Sequence, residues 1–191
     1  MSVLNSTPNI ARGRPTNANE VGTVAAVAGL SVKEYGESIG LRQTQLTFTN
    51  VKQVFTDATG NIYYGGTKVY TFPTSSLLIL GTVTSLAIAR VGALLPATAS
   101  VVGSIGTATA AADATLTSTE ADIVASTAAT LTSGAGTMYN APSATLSIAA
   151  STSATAKDVY LNWAASATSG GTDALTINGT VTITWVALGS R

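Results

Sequence analysis

Residues 43–49 alternate polar and apolar side chains with the period of two that a half-buried β-strand shows, placing Leu46 and Phe48 on one face. Asn50 then breaks the phase, and Val51, Gln53 and Phe55 take the opposite parity. One extra residue in one strand of a pair has this effect, so the pattern predicts a β-bulge at Asn50. Residues 57–61 read as a turn. Residues 67–73 follow as a short strand with Tyr70 and Phe72 on one face, closed by Pro73. Residues 76–80 and 83–89 give two further apolar strands on either side of Gly81.

The C-terminal pattern is the clearest. Val159, Leu161 and Trp163 share one face of a strand, and a turn over residues 169–173 leads into Leu175. Asn178-Gly179 is a strong two-residue hairpin signal. Such a loop would pair Ile177 with Thr180 and mix the faces of the two arms. Leu175, Ile177, Val181, Ile183 and Trp185 instead keep one parity through Gly179, which predicts one long strand with a glycine kink. Trp163 and Trp185, both on apolar faces, are expected in the core. Tyr63 and Tyr64, beside Gly65 and Gly66, are the better candidates for a surface aromatic patch.

Two regions carry weaker patterns. Residues 97–155 are biased to Ala, Ser, Thr and Gly, and they fit either long loops between strands or thin strands packed closely on a neighbour. Thr117-Ser-Thr-Glu120 within them has capping-box spacing, with residues 121–124 as one helical turn after it. Residues 1–20 hold two prolines, four asparagines and little apolar periodicity. They read as the start of an extended arm that orders against something else, with Arg12 and Arg14 as candidate contacts to a partner's carboxylates. The chain thus divides into an extended N-terminal arm, residues 1–42, and an all-β, jelly-roll-like β-sandwich of roughly eight strands, residues 43–191.

Composition narrows the chemistry. The chain has no histidine and no cysteine, with nine basic and nine acidic residues among 191. The commonest general acid-base group and the usual zinc ligands are therefore missing, and a non-enzymatic protein without cofactor or metal is expected. Zero formal net charge supplies no basic field for nucleic acid. Residues 76–95 have the length of a membrane span, but Thr82, Thr84, Ser85 and Arg90 interrupt them, so two buried strands and no membrane are expected. Residues 21–32 imitate a signal-peptide core; Glu20, Lys33 and Glu34 at its borders favour intracellular synthesis. Glu20, Glu34, Glu37, Asp57, Asp113, Glu120, Asp122, Asp158 and Asp173 include no pair that the sequence marks as a glycosidase couple.

Residues 154–163, followed by Leu175-Thr-Ile-Asn-Gly-Thr-Val-Thr-Ile-Thr-Trp-Val-Ala-Leu-Gly189, resemble small virion proteins of tailed bacteriophages. The likeness continues upstream in residues 64–73, 80–83 and 106–122 and covers roughly residues 43–189, leaving the arm unmatched. The resemblance implies a jelly-roll cement or decoration protein on the outside of a phage head, made in the host cytoplasm, whose partner is the major capsid protein. It also implies a homo-oligomer, dimer or trimer, that stiffens the capsid lattice. A carbohydrate-binding head- or tail-fibre module and a self-assembling capsid or tail building block are the alternatives. The chain departs from the pattern at its end, where Ser190-Arg191 stands in place of an acidic residue.

Overall fold

The computed structural model describes residues 22–36, 41–58, 62–73, 77–111, 115–140, 157–166 and 171–187. Ten strands run through them: β1 (Thr23–Val24), β2 (Leu30–Gly36), β3 (Leu41–Ala58), β4 (Ile62–Thr71), β5 (Leu77–Arg90), β6 (Ser100–Gly106), β7 (Val124–Thr130), β8 (Ala135–Asn140), β9 (Asp158–Ser166) and β10 (Asp173–Ala187). Among the described residues the sole helical element is a 3-10 turn at Ser118–Glu120.

The pairing is nested. β3 pairs antiparallel with β10, β4 with β9, β5 with β8, and β6 with β7. Folding this four-pair ribbon over on itself gives two layers, β3-β10-β5-β8 and β4-β9-β6-β7, which is the jelly-roll wrap. β2 adds to the first layer beside β3, and β1 adds to the second beside β4. β3 joins the two, because its last residues leave β10 and pair Thr56 with Tyr64 in β4. The all-β sandwich read from the sequence is the observed fold. Residues 22–36 of the expected arm hold β1 and β2, paired to the chain's own sheets, while Arg12 and Arg14 lie outside the described residues.

Local sequence explains the irregularities. Opposite Asn50 the β3–β10 register slips between Ile177 and Gly179, so β3 carries the extra residue. Asn50 sits at a φ of 53°, and its N–H donates to Asn178 Oδ1 at 2.8 Å. β10 runs unbroken past Gly179, as its parity requires. Gly179 has a φ of 128°, and a Cβ there would lie 2.2 Å from the Ser85 carbonyl oxygen, so only glycine fits. In the second layer Trp163 stands between Gly65 and Gly103 on the neighbouring strands. A Cβ on Gly103 would meet the indole ring at 2.5 Å; the missing side chain is the room the ring occupies.

Three expectations need correction. The two strands proposed on either side of Gly81 are one strand, β5, whose register against β10 slips between Thr184 and Trp185. The slip reverses parity, so Leu77 and Ile79 face the core before it and Thr82, Thr84, Leu86 and Ile88 after it. Tyr63 is no surface residue: it is fully buried and stacks on Phe55 with ring centroids 6.1 Å apart. No helical turn follows the capping-box residues, because the 3-10 turn takes Ser118–Glu120 and Val124 already begins β7. The described part of residues 97–140, left open between loop and strand, contributes β6, β7 and β8, with residues 107–111, 115–117 and 121–123 outside regular strands. The turn expected at residues 57–61 falls largely outside the described residues.

Candidate functional site

The two outer faces of the sandwich are finished differently. On the second layer, residues 107–111 and 115–123 fold back over the sheet. Asn162 of β9, fully buried, holds them: its Nδ2 donates to the carbonyls of Ala108 and Glu120, both at 2.9 Å, and its Oδ1 accepts the Ala110 N–H at 2.9 Å. Ser104 Oγ donates to the Glu120 carbonyl at 2.6 Å. The buried Glu120 carboxylate accepts the N–H groups of Ala111 and Thr117, and Asp122 accepts the Thr107 N–H and hydroxyl at 2.8 and 2.6 Å. Ala110 and Leu116 then pack on Ala164, Tyr64 and Val102 of the sheet below. Every polar group named here has its partner inside the fold, so the cluster fastens the loop to the sheet.

The first layer has no such cover among the described residues. Its outer face presents Ser31, Lys33 and Tyr35 from β2, Gln43, Gln45 and Thr47 from β3, Thr180, Thr182 and Thr184 from β10, and Val83 and Ser85 from β5, in register across the strands. Of the eight large hydrophobics exposed on the described chain, five (Tyr35, Leu41, Val54, Leu80 and Val83) stand on this one face. Val83 is the most exposed of the five, at 53%. Towards β8 the face dips into a shallow trough of about 490 Å³, floored by Ala87, Ala89, Ala135 and Thr137 and edged by Asn178 and Thr130. The small side chains there let another backbone approach closely.

The open corner between β2 and β4 carries an internal polar contact. Glu34 points into the sandwich and accepts the hydroxyl hydrogen of Tyr70. Burial, the adjacent Glu34 charge and that hydrogen bond together push the Tyr70 phenol far above its ordinary range. The inward Glu34 and outward Lys33 also mark β2 as an edge strand that discourages continued sheet growth.

At the rim of the second layer, Asp158 meets Lys68 Nζ at 2.6 Å and accepts from Thr71 Oγ1 at 2.8 Å. Partial burial pushes its carboxyl up, but the hydrogen bonds from Lys68, Thr71 and Tyr160 and the Lys68 charge outweigh that and hold it below the usual value of 3.8. A carboxyl whose folded value is depressed stabilises the fold above the unfolded value and loses that contribution as pH falls through the folded one. Asp158→Asn is therefore expected to flatten the fall in melting temperature below about pH 4. Melting curves from pH 2 to 7 check this; parallel curves for wild type and variant would remove Asp158 as a source of acid sensitivity.

Asp173, at the start of β10, accepts the N–H groups of Gly92, Leu95 and Ala174 at 2.8, 2.6 and 2.7 Å. It clamps the loop after β5 to the start of β10. Trp163 and Trp185 are fully buried, as their strand faces predict. Among the described residues no three His, Cys, Asp or Glu side chains gather at a metal-sized spacing, and no helix is long and apolar enough to cross a membrane.

The geometry thus defines an all-β jelly roll with one face fastened over and, among the described residues, one face bare. No family model matches the chain, and no curated protein matches it.

Proposed function

We propose that this chain is a structural virion protein that binds the outside of a phage head and cements the major capsid protein lattice. The observation that carries the reading is the bare outer face of the first layer, where five exposed large hydrophobics stand among threonine and glutamine side chains. Tyr35 and Leu41 at one end of that face, Leu80 and Val83 across β10 from them, and Val54 at the other end spread these side chains over a broad sheet surface that a partner can cover. The resemblance of residues 43–189 to small phage virion proteins supplies the partner's identity, and the jelly roll is the fold that resemblance implies. A broad, flat contact of modest strength suits a lattice, because repeated attachment multiplies weak sites into firm decoration. In this reading Arg12 and Arg14 of the arm contact a neighbouring subunit, and copies associate as a dimer or trimer on the shell.

Immunogold labelling of intact virions with antibody against this chain tests the proposal. Uniform label over the head is expected. Label confined to the tail would replace it with the fibre reading, and no label on intact particles would overturn an exterior position.

A further inference from the structure

We infer that the bare face of the first layer docks an acidic, hydrogen-bonding protein surface, with Lys33 and Lys52 as its cationic anchors. This rests on the proposed attachment to a capsid shell and adds the chemistry of the surface met there. Charge is segregated between the layers. Among the described side chains, Glu34 turns inward to Tyr70, Glu120 and Asp122 are held in the loop over the second layer, Asp158 pairs with Lys68, and Asp173 clamps the loop after β5. None of these carboxylates reaches the outer face of the first layer. That face carries Lys33 beside Gln45 and Lys52 beside Thr176, both exposed and without an ion-pair partner among the described residues.

Among the described side chains, this face of a chain of zero formal net charge carries lysine and no carboxylate. The two lysines stand roughly 20 Å apart along the strands, with hydroxyls and an amide between them, Tyr35, Leu41 and Leu80 beyond Lys33, and Val54 beyond Lys52. They favour a partner with carboxylates at matching points and disfavour one that brings lysine or arginine there. A nucleic-acid backbone fits poorly, since it calls for a row of cations along its phosphates, and Tyr35, Leu80 and Val83 would lie against solvated charge.

Rebinding of the purified full chain to mature heads stripped of it, at several salt concentrations, tests the assignment. Wild-type binding should weaken as salt rises, and Lys33→Gln with Lys52→Gln should bind about tenfold more weakly at physiological ionic strength. Ser126→Glu with Ala128→Glu, on exposed positions of β7 in the second layer, removes the same net charge and should bind as wild type. Equal binding by the lysine variant and wild type, or equal loss in both variants, overturns the assignment and leaves shell attachment standing. Failure of the wild-type chain to bind stripped heads overturns shell attachment, and the assignment with it. Amine labelling of unmodified particles gives a readout free of folding effects. Lys33 and Lys52 should react less on the virion than in the free chain, and undiminished reactivity would exclude this face from the contact.

Discussion

Trp185→Ala is expected to destabilise the protein by about 3–5 kcal/mol, the largest effect of any single side chain considered. The indole is fully buried and packs edge-on against Phe72 at 5.4 Å, which in turn meets Tyr70 at 5.3 Å. These rings come from different layers, Trp185 from β10 on one side and Tyr70 of β4 with Phe72 just after it on the other, so the cluster bolts the sandwich together. The Arg42 guanidinium lies 5.8 Å from the indole centroid and Thr44 Oγ1 accepts its Nε1–H at 2.9 Å. Removing the ring leaves a cavity that stiff, β-branched neighbours fill poorly, and Thr44 keeps a buried hydroxyl without its donor. Trp185→Phe separates the two contributions: it retains most of the apolar contact, loses the hydrogen bond, and should cost about 1–2 kcal/mol. Denaturant unfolding measures both variants. A cost below about 1 kcal/mol for the alanine variant would show that the layers do not depend on this cluster.

The second large effect belongs to Asn162. Asn162→Ala deprives the Ala110 N–H and the Ala108 carbonyl of their partner in a buried setting, while the Glu120 carbonyl keeps Ser104. At about 1–3 kcal/mol for each orphaned group, a loss of about 2–5 kcal/mol is expected. Its distribution should be uneven. Amide exchange should accelerate over residues 107–123, while β4 and β9 beneath them stay protected, because the ladder hydrogen bonds of those strands do not involve the Asn162 side chain. Asn162→Asp should be no milder despite its shape, since it turns an acceptor toward two carbonyl oxygens that need a donor. Uniform acceleration across both sheets would mean that the loop and the second layer open as one unit.

Much of the fold was legible because strands buried on one face leave a period-two trace. The parity of Leu175, Ile177, Val181, Ile183 and Trp185 distinguished a continuous β10 from a hairpin, and the phase break at Asn50 located a bulge that the register shift reproduces. The trace fails where a polar residue takes a core position. Thr82 and Thr84 are each 2% exposed while Val83 between them faces solvent, so hydropathy alone inverts that half of β5. In β2 the inward Glu34 hides the alternation begun by Leu30 and Val32. Tyr63 looked like a surface residue because the glycines after it suggested a loop, whereas those glycines are places where the sheet meets neighbouring atoms closely.

The candidate site was legible only in part. Sparse charge and threonine-rich strands announced broad neutral surfaces, but which face stays open depends on where residues 107–123 settle. That segment is anchored by an asparagine on a distant strand and by its own Glu120 and Asp122, and its apolar contacts on the sheet's outer face are Ala110 and Leu116. No local pattern encodes such a cover.

The nested pairing has a consequence for how the chain comes to be folded. β10 lies in the middle of the first layer, hydrogen-bonded to β3 on one side and β5 on the other, yet every other strand leaves the ribosome before it. Until it arrives, β3 and β5 have a gap between them and each offers an unpaired edge. Gln43, which contacts Thr184 in the finished sheet, must wait through 141 residues of synthesis for that neighbour. During synthesis there is therefore an interval in which β3 and β5 lack their common neighbour, and closure of the first layer awaits the last of the described strands.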